Sequence, residues 1–388
     1  MPSTCRFDLN KPNATYFSGE VIAGTITLNT SSDKNVRDVS IIFLGEGKVK
    51  WEESHSTSNS DGSSSTSTTY YRTHEVYVNN NTMVHGDGVL PVGTHTYSFN
   101  IPLPWECPTS CEGKYGHVRY EISLKINRYY RFDNVYKRPV TIIKTIDLNL
   151  CPAYKLPLAL ETISSACCWP CSKGKILCTL KIPFGAYAPG QTIKYALHIV
   201  NQSMDDTEGY YVEFSKKMIF TARSPRHKER SSKDVLVTRS FNENCLRLAN
   251  RIIEGEIYIP STPPTTERSS IICIAYKLKV TLQLGCCVSN PVMEVPIIIG
   301  TIPLRESIPA NRTMMSIAED HVVPTAPELA EAGVGGDLPP SYNEMQPPTF
   351  EEATRSNSPF IDTDIDERNR IVGFKPLYPM YNLPYGGK

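Results

Sequence analysis

The sequence predicts an all-β protein: two tandem immunoglobulin-like β-sandwiches followed by a disordered C-terminal tail. From residue 5 to about 305, short runs rich in β-branched and aromatic residues alternate with Gly, Pro, Asn and Asp. A 388-residue chain with 40% apolar residues is long enough for roughly two to three domains of about 150 residues. Beyond residue 306 the periodicity is lost, and ten of the thirty prolines lie in the last 65 residues, a composition typical of disordered tails.

In the first half, apolar and polar residues alternate over residues 21–28, with Ile22, Ile26 and Leu28 on one face. Residues 39–45 and 120–126 continue this pattern, and many short strands at such spacing indicate a β-sandwich. A stretch rich in Ser, Thr, Asn and Gly at 53–70 has little apolar area to bury, so we expect a long loop there, acting as a spacer or as a phosphorylation cluster.

The second half of the chain repeats the first. The Gly-led turn and alternating strand at 19–26 have a counterpart at 189–197, which is most simply explained by two similar sandwiches. Prolines at 152 and 157 interrupt the pattern between the two halves. We therefore predict a first domain at 5–150, a linker at 151–162, a second domain at 163–305 and the tail at 306–388.

Charge divides along the same line. The residues after 310 include 12 acidic and 6 basic side chains, a charge of −6, and because the whole chain is neutral, residues 1–310 carry a charge of +6. A body this weakly basic argues against nucleic-acid binding and leaves contact with an anionic membrane surface as an alternative. No signal-peptide pattern precedes the first domain, so we expect a cytoplasmic protein with mostly free thiols among its twelve cysteines.

A proline-rich motif in the tail, Leu-Pro-Pro-Ser-Tyr at 338–342, matches the PPxY ligand of WW domains. Adjacent prolines fix φ near the polyproline II value and lack backbone donors, so the segment loses little entropy on binding to an aromatic-lined groove. We expect a WW domain to bind Pro339, Pro340, Ser341 and Tyr342. A degenerate second motif follows at Pro347, Pro348 and Phe350, where the ring lacks the hydroxyl.

A run of basic residues lies between two strand-like segments at 223–233. It is either a solvated hairpin tip or a contact for an anionic ligand such as a phosphoinositide or a phosphorylated receptor tail. In the second case the contacting residues would be Arg223, Arg226, Lys228, Arg230 and Lys233. For Arg119, a structural salt bridge is favoured over a role in sensing phosphate.

The sequence contains no nucleophile elbow, phosphate-binding loop, dinucleotide fingerprint or HExxH motif, so we expect no enzyme activity, cofactor or metal. The strongest rival feature is Cys167, Cys168 and Cys171 with Cys178 after them, whose CxxC spacing suits zinc or redox chemistry. We favour structural thiols there. Lipid or metal attachment and thiol–disulfide exchange remain the alternatives.

Several segments resemble the arrestin family in order and spacing. Residues 7–10 with Tyr16, Gly19 and Gly24 look like the opening of an arrestin N-terminal domain, and residues 111–128 are similar to its G-x-V-R-Y segment. Residues 187–203 look like the opening of the C-terminal domain. Residues 273–284 and 293–304 are similar to the last part of that C-terminal domain.

The PPxY tail resembles that of the α-arrestin branch. The resemblance implies two curved sandwiches joined by a short hinge, in an adaptor that brings WW-domain HECT-type ubiquitin ligases to membrane receptors or transporters. It implies roles in ubiquitination, endocytosis and protein transport, and a peripheral location at the plasma membrane and endosomes. This tail contains one intact PPxY motif, whereas two are typical of the α-arrestin branch. The alternatives are a retromer-subunit-like trafficking scaffold, which shares the fold, and a thioredoxin-binding redox regulator.

Overall fold

The computed structural model describes residues 3–58, 64–129, 132–168, 171–266, 271–285, 289–305, 345–346 and 374–381. Within these ranges, strands dominate and build two successive β-sandwiches, each of two sheets. The prediction of an all-β fold with two tandem sandwiches is therefore confirmed.

Ten of the described strands form the first domain. A three-stranded sheet has the order β1-β3-β7, and the opposing sheet has the order β2-β10-β9-β4-β5, with β6 paired to β4 and β8 paired to β9. The strands are β1 (Thr4–Leu9), β2 (Thr15–Phe17), β3 (Val21–Thr30), β4 (Lys34–Ser58), β5 (Ser64–His85), β6 (Gly88–Leu90), β7 (Gly93–Pro102), β8 (Cys111–Gly113), β9 (Gly116–Arg128) and β10 (Asn134–Ile143).

The core of this domain follows from the alternation in its strands. Ile22, Ile26 and Leu28 of β3 are fully buried, as the pattern predicts. From the opposing sheet, Phe43 and Tyr120 stack with ring centroids 6.2 Å apart. The Tyr120 hydroxyl donates to the carbonyl of Pro108 at 2.7 Å, so its one polar atom is satisfied inside the core.

The prediction of a loop over residues 53–70 is wrong for the described residues 53–58 and 64–70. There strands β4 and β5 remain paired, with Glu53 opposite Thr69 and Ser56 opposite Thr66. Backbone hydrogen bonds need no apolar side chains, and threonine favours extended structure. Hydroxyls also pair across the ladder, Ser56 Oγ lying 3.2 Å from Thr66 Oγ1. The hydroxyl-rich composition marks an exposed hairpin, not an unpaired loop.

The second domain pairs a four-stranded sheet, β11-β12-β14-β17, with a five-stranded sheet, β13-β19-β18-β15-β16. Two 3₁₀ helices, Leu148–Leu150 and Pro152–Lys155, precede it, and β11 begins at Leu158, inside the segment assigned above to the linker. The strands are β11 (Leu158–Cys168), β12 (Cys171–Ile182), β13 (Ala186–Tyr187), β14 (Thr192–Asn201), β15 (Thr207–Ala222), β16 (Lys228–Phe241), β17 (Ala249–Tyr258), β18 (Ile272–Leu284) and β19 (Val292–Ile299).

The two domains share a packed interface. The turn between β8 and β9 carries Tyr115, whose ring meets Phe220 of β15 edge-on at 5.5 Å. Glycines of the first domain allow this close approach: a Cβ on Gly113 would lie 2.6 Å from Phe220 Cζ, and one on Gly47 would lie 2.9 Å from Ile271 Cδ1. Buried residues of both domains form one continuous hydrophobic cluster.

Candidate functional site

The basic run forms the end of a hairpin that lies against the first domain. Arg72 of β5 and Ser224 exchange backbone hydrogen bonds of 2.9 and 3.1 Å, so this hairpin extends the edge of the first domain's sheet. The Arg223 guanidinium forms an ion pair with Glu75 at 2.6 Å, and the Arg226 guanidinium donates to the Tyr71 hydroxyl at 3.3 Å. The run therefore contributes to the contact between the domains.

Two further cations of the run reach partners in the first domain. Lys228 donates to the Glu53 carboxylate at 2.5 Å and lies over the Tyr71 ring, 4.9 Å from its centroid. That hydrogen bond, followed by one from the Trp51 indole, holds the pKa of the Glu53 carboxyl below its usual value. Arg230 lies over the Tyr115 ring at 4.3 Å.

The fifth residue of the run, Lys233, pairs with Glu213 within the second domain at 2.5 Å. The structure thus gives each of the five predicted ligand-contacting residues a partner in the chain. An anionic ligand would have to compete with these carboxylates and aromatic rings. The anionic-ligand role stays a prediction.

Arg119 has the structural role expected of it. Its guanidinium donates to both carboxylate oxygens of Glu112, at 2.6 and 2.9 Å, joining β9 to β8 beside the interface turn. A bidentate pair of this kind fixes geometry as well as charge. The prediction of a salt bridge is confirmed.

The PPxY motif, Pro339, Pro340, Ser341 and Tyr342, lies outside the described residues, and so do Pro347, Pro348 and Phe350. The described tail residues nearest to them are Met345–Gln346 (β20), which pair antiparallel with Met380–Tyr381 (β21).

A second part of the tail, residues 374–381, is described and lies against both domains. On the first domain, the Leu377 amide donates to Thr141 Oγ1 at 3.2 Å, and the Tyr378 hydroxyl donates to the Ser110 carbonyl at 2.9 Å. On the second domain, Ser261 Oγ donates to the Tyr378 carbonyl at 2.8 Å. We call residues 374–381 the docked segment.

The end of the docked segment is held by the second domain. The Tyr381 amide donates to the Pro189 carbonyl at 2.9 Å, and its hydroxyl donates to the Thr301 carbonyl at 2.8 Å. A Cβ on Gly190 would lie 2.3 Å from the Tyr381 carbonyl oxygen, and Gly190 has φ +89°. Glycine at this position therefore serves both the turn before β14 and the close approach of the docked segment.

Comparison with known protein families matches both halves of the chain. Residues 5–149 match the model described as "Arrestin (or S-antigen), N-terminal domain", and residues 172–304 match "Arrestin (or S-antigen), C-terminal domain". Among similar curated proteins is "Arrestin domain-containing protein 17" of Caenorhabditis elegans, 24% identical over 95% of this chain and 83% of that protein. The chain belongs to the arrestin-domain-containing proteins of the α-arrestin type.

Other members of the family show a similar likeness. "Arrestin domain-containing protein 1" of Mus musculus is 25% identical over 84% of this chain and 71% of its own length. "Arrestin domain-containing protein 4" of Homo sapiens is 25% identical over 89% of this chain and 81% of its own length. Arrestin-family proteins are adaptors, and this α-arrestin is a member of that adaptor family. None of its described helices is both long and apolar enough to cross a bilayer.

The cysteines of this α-arrestin that the structure describes in full are free thiols. Cys178 of β12 is fully buried, and desolvation raises the pKa of its thiol to about 12. The backbones of Cys168 and Cys171 are paired in the β11–β12 ladder, and the side chains of Cys167, Cys168 and Cys171 lie outside the described part of the chain. Within the described residues, no group of His, Cys, Asp and Glu side chains is arranged to hold a metal ion.

Sequence reasoning missed the docked segment. Its residues, Phe-Lys-Pro-Leu-Tyr-Pro-Met-Tyr, share the proline-rich composition of the surrounding tail and have no strand-like alternation. One signal could have indicated it: three of its eight residues are aromatic, which is unusual for a segment without a packing partner.

Proposed function

We propose that this α-arrestin recruits WW-domain HECT-type ubiquitin ligases to membrane receptors or transporters, and so promotes their ubiquitination, endocytosis and transport. The observation that carries this proposal is the PPxY motif at 339–342, which follows a pair of arrestin domains. In such an adaptor the tail binds the ligase and the body binds the cargo. It would act in the cytoplasm, peripherally at the plasma membrane and endosomes.

The energetics make Tyr342 the main anchor. A single short peptide motif forms a small interface with an expected dissociation constant in the micromolar range, or about −8 kcal/mol at 1 μM. The second motif lacks one hydroxyl at Phe350, which removes a hydrogen bond of about 1 kcal/mol. Several weak contacts on one chain reinforce each other, so ligase and cargo binding together would exceed either alone.

The body offers one further surface for an anionic partner. The cations at 223–233 could contact an anionic membrane or a phosphorylated cargo tail if that ligand displaced Glu53 and Glu75 from Lys228 and Arg223. Such binding would loosen the contact between the domains because the same side chains serve both purposes. Salt should weaken it, since the attraction is electrostatic.

The tail hypothesis can be tested with the full-length protein and a purified array of WW domains from a HECT-type ligase. Tyr342→Ala should lower the affinity at least tenfold, because the ring and its hydroxyl both lose their partners. Tyr385→Ala is the matched control, since it removes a tail tyrosine that follows a single proline. Its affinity should equal that of the wild type.

Phe350→Tyr should have the opposite effect and raise the affinity for the WW-domain array. It converts the second motif into Pro-Pro-Thr-Tyr, and two intact motifs on one chain should bind a WW array roughly tenfold more tightly than one. Unchanged binding by Tyr342→Ala, even when combined with Phe350→Ala, would exclude the tail as the ligase-binding element.

A further inference from the structure

The two arrestin domains meet at a groove that the docked segment occupies. A small cavity remains beside the docked segment, lined by Ile143 of the first domain, by Pro189, Thr262 and Gly300 of the second, and by Tyr378 and Pro379 of the segment itself. This groove is separate from the hairpin contact made by the basic run. The first domain provides one wall and the second domain the other, so the groove exists only where the domains meet.

Body atoms recognise the backbone of the docked segment at three points. Leu377 N–H, the Tyr378 carbonyl and Tyr381 N–H each have a partner, namely Thr141, Ser261 and Pro189. Hydrogen bonds to main-chain atoms bind any extended peptide, whatever its side chains. Between these points lies Pro379, which has no N–H and therefore leaves no donor unsatisfied.

Side chains add selectivity at both ends of the groove. The hydroxyls of Tyr378 and Tyr381 donate to carbonyls of opposite domains, those of Ser110 and Thr301. Between them Met380 is buried, and its sulfur accepts a hydrogen bond from the Tyr258 hydroxyl at 3.5 Å. A carbonyl that faces the groove favours a hydroxyl over a bare ring, so phenylalanine should bind less well than tyrosine.

Covalent connection does not by itself hold the segment in place, because 68 residues separate Phe374 from Arg305 at the end of the second domain. We infer that the groove between the domains is a peptide-binding site. It accepts an extended partner peptide with the order tyrosine, proline, unbranched apolar residue, tyrosine, and the chain's own residues 374–381 occupy it until such a partner displaces them. This inference does not depend on ligase recruitment.

The test uses the full-length protein and a fluorescent peptide that copies residues 373–382. In the wild type, the docked segment competes with the added peptide from the same chain. Tyr378→Ala combined with Tyr381→Ala removes that competitor without altering the body. Fluorescence anisotropy should show at least tenfold tighter peptide binding by this double variant than by the wild type. Tyr385→Ala, outside the docked segment, should bind the peptide as weakly as the wild type does.

Two further measurements tie the binding to this groove. A peptide with phenylalanine in place of both tyrosines should bind the double variant at least tenfold less tightly, since roughly fivefold is expected for each lost hydroxyl. Adding Ser261→Ala to the double variant should also weaken binding several-fold, because it removes the donor to the carbonyl at position 378. Equal peptide binding by wild type and double variant, no binding by either, or indifference to both hydroxyls would overturn the inference.

Discussion

Replacing Gly113 by alanine should loosen the contact between the two arrestin domains. The new methyl group would lie 2.6 Å from Phe220 Cζ and 2.8 Å from Met218 Cε, both in the second domain. Met218 has a flexible end and can move. Phe220 is fully buried and is held edge-on against Tyr115, so its ring cannot turn away without disturbing the interface.

The expected cost follows from overpacking. Adding a methyl group to a filled core costs about 1–3 kcal/mol. Alanine also has less conformational freedom than glycine in the unfolded chain, which stabilises the folded state by about 0.4–1 kcal/mol. From the middle of the overpacking range, about 2 kcal/mol, the net loss of stability should be about 1–1.6 kcal/mol, or a fall of about 2–6 °C in the melting temperature. Thermal unfolding of the full-length protein measures this directly.

Gly86→Ala is the control for Gly113→Ala, because a Cβ on Gly86 would have no atom within 4 Å. It should leave the melting temperature unchanged or slightly raised. Combining Gly113→Ala with Phe220→Leu should cost less than the sum of the two single changes, since the smaller side chain makes room for the methyl group. Equal melting temperatures for Gly113→Ala and Gly86→Ala would refute the close packing of the two domains at this turn.

Two further predictions concern single side chains. Arg119→Met should lower the free energy of unfolding in urea by about 1–3 kcal/mol, because it leaves the half-buried Glu112 carboxylate without its bidentate donor; a loss under about 0.3 kcal/mol would contradict that role. At pH 7.5, iodoacetamide should leave Cys178 unmodified in the native protein and label it in urea, as mass spectrometry can show, since burial raises the pKa of its thiol to about 12. Rapid labelling of native Cys178 would instead support its use in thiol–disulfide exchange.

The sequence was sufficient to predict the two β-sandwiches, because apolar and polar residues must alternate along a strand that is buried on one face only. Ile22, Ile26 and Leu28 are examples. It also predicted the salt bridge of Arg119, whose charge lies within a strand and needs a nearby carboxylate. Order and spacing of short motifs predicted the arrestin family, which the matches to both domains confirm.

Other features depend on contacts that no local pattern encodes. The pairing of residues 53–58 with 64–69 rests on backbone hydrogen bonds, so the hydroxyl-rich side chains of this stretch did not indicate a strand. Four of the five cations in the basic run have partners in the first domain, far away in sequence: Glu75 is 148 positions from Arg223. The docked segment depends on a groove that exists only once two domains have assembled.

Proximity labelling in cells can show whether the tail of this α-arrestin recruits ubiquitin ligases. The wild-type protein and Tyr342→Ala would each carry the labelling enzyme at the N-terminus, away from the tail. We expect HECT-type ligases to disappear from the labelled proteins of Tyr342→Ala while membrane receptors or transporters remain, because the ligase binds the tail and the cargo binds the body. Undiminished ligase labelling by Tyr342→Ala combined with Phe350→Ala would contradict it.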